Sequence, residues 1–232
     1  MGNKMEEKNS TYFGDNAWYQ DKVLTLDTYV YCRMCIESEL KGCKSLLDIG
    51  NGGFFNYDIA SLERVVILDL CIDETADYGK NVTPIRGDAL KFDLEEKFDA
   101  IVIQMLIHHV TGTSPEEAVK NMELILEHCA NHLTPAGKIL LIESTVPSWF
   151  HFFEKIVFRL LYKFWNFPHP ITFQHTASQI LRSARKAGLK IEEYVHIPLG
   201  QWVVILGFLV PTKLTPVQPI KVVLSNPSST KY

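Results

Sequence analysis

Four places in the sequence hold residue types whose spacing could do chemistry. Asp48 stands two positions before Gly50, and Gly52 and Gly53 follow, so the stretch reads D-I-G-N-G-G. Glycines there let the backbone turn sharply and come close to a ligand, because no Cβ intervenes. Asp69 ends the next apolar run, 21 positions after Asp48. That is the spacing at which a nucleotide-binding unit sets a carboxylate against a ribose diol. His108 and His109 come directly after the apolar run of residues 98–105. Histidine titrates at about pH 6.5, so it is the natural base where a hydroxyl must lose a proton as it attacks. Glu143, at the end of a further apolar run, could orient His109 or bind an acceptor.

These groups need elements to hold them. Leu46 to Ile49 is too short for a helix and reads as a buried strand, followed by the glycines, a short helical turn and a second strand from Val65 to Leu68. A short polar helix is expected over residues 73–79 and a third strand from Val82 to Arg86. Phe98 to Met105 is almost continuously apolar, as a central parallel strand covered on both faces would be. The histidines would then lie at the carboxyl end of a central strand, where open α/β sheets bind ligands. Thr113 or Ser114 caps a helix with Pro115 at its first position and Glu116 and Glu117 in its first turn. Lys138 to Ile142 reads as the fifth strand. A helix is expected over residues 22–40, another over 176–188 closed by Gly188, and two final strands over 189–197 and 202–210; residues 220–224 could add an edge strand.

Composition bounds the partners. The 232 residues are 47% hydrophobic, enough to build one α/β domain with a sizeable core. A net charge of −4 argues against a broad nucleic-acid surface. Five cysteines, an odd number, fall largely in helix-like or strand-like segments, which points to reduced thiols and a cytoplasmic setting. The pair Cys32 and Cys35 has no second pair to complete a zinc site. No tight spacing such as H-E-x-x-H marks a metal site either, so none is expected. No signal peptide or clear membrane span is read from the sequence.

The pattern is not the dinucleotide fingerprint, which would need glycine at Phe55. D-I-G-N-G-G instead resembles motif I of the class I S-adenosylmethionine-dependent methyltransferases, an acid followed by G-x-G-x-G. Phe54 replaces the last glycine of that pattern, and Gly53 adds one. Gly87-Asp88-Ala89 and the run L-T-P-A-G-K-I-L-L-I-E look like later segments of the same family, so the likeness covers roughly residues 45–145. It implies an α/β, Rossmann-like fold with a seven-stranded, mostly parallel sheet, helices on both faces and a closing pair whose last strand is antiparallel. It implies S-adenosylmethionine as cofactor, held by Asp48, Gly50, Asn51, Gly52, Gly53, Asp69, Leu70, Asp88, Ala89, Gln104 and Met105. Asp88 would meet the adenine amino group and Ala89 the ring. The methionine portion would pass Gln104 and Met105. The glycine-turn amides and a helix behind them would favour the cofactor's carboxylate. His109 is the first choice of base and His108 the second.

Residues 146–174 depart from a minimal α/β unit and carry a surplus of aromatics on an expected helix over 148–165. Such a surplus suits a lid over an apolar ligand, a dimer surface or contact with a membrane surface. Tyr19, Glu143, Trp149, His169, Gln174 and His175 are the candidate acceptor contacts. The chain divides into an N-terminal lid and helix (1–44), a cofactor core (45–145), a substrate-lid insertion (146–188) and closing strands with a tail (189–232), all one domain. The activity expected is methyl transfer to a small, largely apolar acceptor at a hydroxyl or carboxyl oxygen, by a monomer or homodimer. Transfer to nitrogen or carbon, and a cofactor-binding subunit without catalysis, remain open.

Overall fold

A computed structural model describes residues 21, 25–164, 170–205 and 208–227. Tyr19, His169 and residues 22–24 of the first expected helix lie outside the described residues. Helix α1 (Asp27–Leu40) leads into β1 (Ser45–Ile49), β2 (Arg64–Asp69), β3 (Val82–Arg86) and β4 (Phe98–Gln104). A 3-10 turn (Ile107–His109), α2 (Pro115–Asn131) and β5 (Leu133–Thr145) follow. Then come α3 (Ser148–Phe164), α4 (Ala177–Lys186), β6 (Lys190–His196), the short strands β7 (Trp202–Ile205) and β8 (Phe208–Pro211), and β9 (Gln218–Ser225).

Seven strands form one sheet in the order β3-β2-β1-β4-β5-β9-β6. The first five pair in parallel, and β9 runs antiparallel between β5 and β6. Successive side chains of a strand point to opposite faces. Leu47, Ile101, Ile103 and Leu141 therefore join Met122 and Ile125 of α2 and Ile180 of α4 in one core. Leu46, Ala100, Val102 and Leu140 join Cys32 and Ile36 of α1 in the other. This two-sided burial explains why β1, β2 and β4 are nearly continuous apolar runs.

Three expectations are corrected. Residues 73–79 form turns and no helix. The Asp73 and Asp77 carboxylates accept the amides of Thr75 and Gly79, two residues on, and local bonds of this kind compete with a helix. No helix follows the glycine turn either, since residues 50–63 are turns and bends. Asn51 and Asp58 similarly capture the amides of Gly53 and Ala60. The strand expected over 202–210 does not close the sheet, because among the described residues β7 and β8 pair only with each other. The closing strand is β9, well inside the sheet, and its Lys221 is tolerated there by ion pairs to Glu39 at 3.1 Å and Glu193 at 2.6 Å.

Helix α2 starts where expected, with the Ser114 hydroxyl accepting the Glu117 amide at 3.1 Å. Ser114→Ala should lower the unfolding free energy by about 1 kcal/mol in urea titrations. Ile101→Ala, deep in the core beneath α2 and α4, should cost about 2 to 5 kcal/mol.

Candidate active site

The glycine turn leaves β1 at the carboxyl edge of the sheet. Gly50 has φ +82°, and a Cβ there would come within 2.7 Å of the Leu106 side chain, so only glycine fits. Gly52, at φ +62°, faces open space. The turn is wired to both acids. Gly52 donates its amide to Asp69 Oδ2 at 3.0 Å, and Cys71 donates to Asp69 Oδ1 at 2.7 Å. Burial raises the Asp69 pKa against the pull of those two bonds. Asn51 bridges the turn, taking the Gly53 amide at 2.7 Å and donating to Asp48 Oδ2 at 2.8 Å. The Tyr57 hydroxyl donates to the same Asp48 oxygen.

Asp48 is buried, and its other oxygen, Oδ1, has no hydrogen-bond partner. Burial pushes its pKa up to about 7, although the bonds from Tyr57 and Asn51 pull it down. The turn amides expected to serve a carboxylate are thus partly committed to Asp69 and Asn51, and no helix stands behind them. A buried carboxylate oxygen left without a donor asks for a cationic or N–H group.

Further along this edge, Asp88 Oδ1 accepts the Leu90 amide at 2.9 Å, and Lys91 lies 3.6 Å from Oδ2. Ala89 packs against the core, and Leu70 is exposed. After Gln104, the last residue of β4, Met105 takes φ 52°, a left-handed conformation that costs a non-glycine residue energy and clusters at functional sites. Its amide is fixed to the Ile142 carbonyl at 2.8 Å.

The 3-10 turn then presents both histidines. Glu143, at the end of β5 and fully buried, holds that turn from below. Its carboxylate accepts Ile107 N–H at 2.7 Å and Ser144 N–H at 2.6 Å, and it pairs with His108 Nδ1 at 2.6 Å. The contact made is with His108, not the expected His109, and Glu143 itself does not line the cavity described next. The two imidazoles lie with ring centres 4.1 Å apart.

A cavity of about 330 Å³ opens above the turn. Met105, His108, His109, Ser144 and Gln174 are among its lining. The rest is largely apolar, from α3 (Phe150, Phe153, Val157, Leu161) and from β7 (Val203, Val204, Ile205). Gln174 is fixed on three sides: its side chain accepts the Ser144 hydroxyl at 3.1 Å, its amide donates to Glu154 at 3.1 Å, and its carbonyl meets His151 Nδ1 at 2.9 Å. Burial raises Glu154 to about 7. His175 lies fully buried beside this strand end, and burial drives its pKa down to about 4, with Glu143 opposing. Trp149 is 68% exposed and does not line the cavity. Among the described residues, no three His, Cys, Asp or Glu side chains are grouped to hold a metal.

Sequence reasoning missed Tyr57, Ser144, Glu154 and the β7 wall. Glu154 left a signal, as the only acid in an otherwise apolar and basic helix.

The strand order, the antiparallel β9 and the ligand edge at β1, β2 and β4 are those of the class I S-adenosylmethionine-dependent methyltransferase fold. Solved structures of that fold superpose over nearly the whole chain. One is a Burkholderia thailandensis 1,6-didemethyltoxoflavin-N1-methyltransferase with bound 1,6-didemethyltoxoflavin and S-adenosylhomocysteine. It has TM-score 0.59 and 14% identity, covering 98% of this chain and 91% of that one. The N-methyltransferase NodS from Bradyrhizobium japonicum, in complex with S-adenosylhomocysteine, gives TM-score 0.57 at 14% identity, over 92% and 93%. The cyclopropane synthase MmaA2 from Mycobacterium tuberculosis gives TM-score 0.55 at 14% identity, over 83% of each chain. At such identities the likeness is one of fold. No protein-family model and no curated protein sequence matches the chain.

Asp48 makes stability pH-dependent. Its folded pKa of about 7 lies above its ordinary value of 3.8. The stability it contributes is therefore full below its ordinary value and lost as pH rises through about 7. Asp48→Asn removes that loss. The melting temperature of the wild type should fall relative to this variant from about pH 4 to about pH 7 and hold level above that, as read by scanning calorimetry.

Proposed function

We propose that this chain transfers a methyl group from S-adenosylmethionine to a small, largely apolar acceptor, at a hydroxyl or carboxyl oxygen. The observation that carries this reading is His108, which lines the polar floor of an otherwise apolar cavity and is paired from behind with the buried Glu143 at 2.6 Å. On this reading the whole chain acts as one domain, with a cofactor half and an acceptor half.

The residues present fit the cofactor. The unpartnered Asp48 Oδ1 would receive the ammonium of its methionine portion. Asp69 would meet the ribose hydroxyls, Asp88 and Ala89 the adenine edge, and the open face of Gly52 would admit the chain between them. Gln104 and Met105 lie between this row and the cavity. The chemistry supplied by the bound cofactor is an electrophilic methyl group on a sulfonium.

The protein's own work is then to exclude water, orient the acceptor and receive a proton. The apolar walls from α3 and β7 would exclude water. Ser144 and Gln174 would orient the acceptor oxygen through hydrogen bonds. Glu143 engages His108 Nδ1, which leaves Nε2 to take the hydroxyl proton as the O–C bond forms and the S–C bond breaks. The buried carboxylate would stabilise the imidazolium that results. A carboxylate acceptor has no proton to lose, and His108 would then only hold it. His109, on the same cavity wall, is the second candidate for either task.

S-adenosylmethionine should raise the melting temperature while nicotinamide cofactors leave it unchanged; the reverse pattern would overturn the reading. With a hydroxyl acceptor, His108→Ala should lower kcat about 10² to 10⁴-fold, with little change in cofactor affinity. Glu143→Gln should cost about 10² or more, since the amide can donate to Nδ1 and impose the wrong tautomer. Full activity of both variants would point to an amine acceptor, whose lone pair needs no base.

A further inference from the structure

Helix α3 turns one face inward to the cavity and leaves a second apolar face outward. Trp149, Phe152, Ile156, Leu160 and Phe164 recur at intervals of three or four, so they share one side of the helix. All five are exposed, Ile156 by 63%, Leu160 by 61% and Phe164 by 68%. Monomeric proteins rarely leave a stripe of this size bare. Trp202, Phe208 and Leu209 of the β7–β8 hairpin, whose β7 supplies another wall of the cavity, are also exposed. Phe153 and Leu161 both line the cavity and reach the surface, so the cavity opens through this apolar face.

The charge around the stripe selects an occupant. The chain carries a net charge of −4, yet the sequence of α3 holds Lys155, Arg159 and Lys163 against one acid, Glu154. Glu154 is turned inward to the Gln174 amide, while Lys155 and Lys163 are exposed. An apolar stripe with a basic margin suits a membrane surface rich in anionic lipid. A second copy of an acidic chain needs no basic margin beside an apolar contact. Among the described residues, no helix is long and apolar enough to cross a membrane. At 17 residues, α3 is about 25 Å long and fits flat in the interface.

We infer that the outer face of α3, with the β7–β8 hairpin, docks on anionic lipid bilayers and brings the cavity mouth against the acyl region. Basic side chains sit at headgroup level and the apolar stripe lies just beneath. An apolar molecule dissolved in the bilayer would then enter the cavity without crossing water.

Co-sedimentation of the full chain with vesicles tests this without turnover, so its outcome is separate from that of the methyl-transfer reading. Vesicles of phosphatidylcholine with about one third phosphatidylserine should bind the chain, and pure phosphatidylcholine should bind it much less. Binding should weaken between about 0.1 M and about 0.5 M salt. The double variants Lys155→Glu/Lys163→Glu and Ile156→Ser/Leu160→Ser should each reduce the partition coefficient about tenfold or more. All four residues are exposed, and unchanged circular dichroism and melting temperature check that each variant folds. Equal binding to both vesicle types, no binding to either, or indifference to both variants would overturn the inference. So would a concentration-dependent dimer in sedimentation that Ile156→Ser/Leu160→Ser abolishes, which would assign the face to a second copy.

Discussion

A fully buried carboxylate, Glu143, ties the end of β5 to the turn that carries His108 and His109. A charge of this kind is costly inside a protein unless every lone pair finds a donor. Glu143 finds the Ile107 and Ser144 amides and the His108 imidazole, all at 2.6 to 2.7 Å. Those donors belong to two segments: the end of β5 itself and the turn after β4. The β4–β5 pairing brings Gln104 into register with Ile142, one residue before the acid. Strand pairing places the carboxylate, the carboxylate places the turn, and the turn places the histidines. The left-handed Met105 lies at the bend after β4, and its amide bond to the Ile142 carbonyl holds that backbone in place.

Asp48 is the counterpart on β1, across β4 from β5, and the contrast between the two acids is informative. Both sit at the carboxyl ends of central strands and both are buried. Glu143 has donors on both oxygens, whereas Asp48 has Tyr57 and Asn51 on one oxygen and none on the other. One acid is satisfied by the protein and acts as a support. The other is left short of a donor at the mouth of an open glycine turn, as a ligand contact would be. The missing helix after Gly53 sharpens this division. Without a helix N-terminus, a ligand on this side would meet the acids and the Asn51 bridge.

The central sheet was legible because burial on both faces leaves little room for polar residues. Runs such as Val65 to Leu68 and Ile101 to Ile103 admit few other readings. Ser114 with Pro115 marked its helix through local capping chemistry alone. The failures lie where local and distant forces compete. Asp73 and Asp77 look acceptable in a helix until their carboxylates bond their own chain two residues on. The run ending near Val210 has strand composition, but composition does not tell a sheet strand from a hairpin of two. The true closing strand read as a mere edge, and the partners that let its Lys221 sit inside the sheet, Glu39 and Glu193, are remote in sequence. Asp48, Asp69 and the histidine pair stand out as candidates by spacing alone. That Glu143 meets His108 and not His109 depends on which way a 3-10 turn faces, and no periodicity records that.

The α3 insertion carries the same lesson into function. A helix that is apolar all round is ordinarily buried all round. Its inner side has Phe158, fully buried against Phe173 in edge contact at 5.1 Å, together with the cavity wall. Its outer side has no protein cover among the described residues, and its basic residues are too few to keep five large apolar side chains in water by themselves. On the proposed readings the inner face would select an apolar acceptor by shape, and the outer face would set where that acceptor is met. Both faces come from one run of aromatic residues, because at 3.6 residues per turn a single helix can wall a cavity on one side and seat a surface on the other.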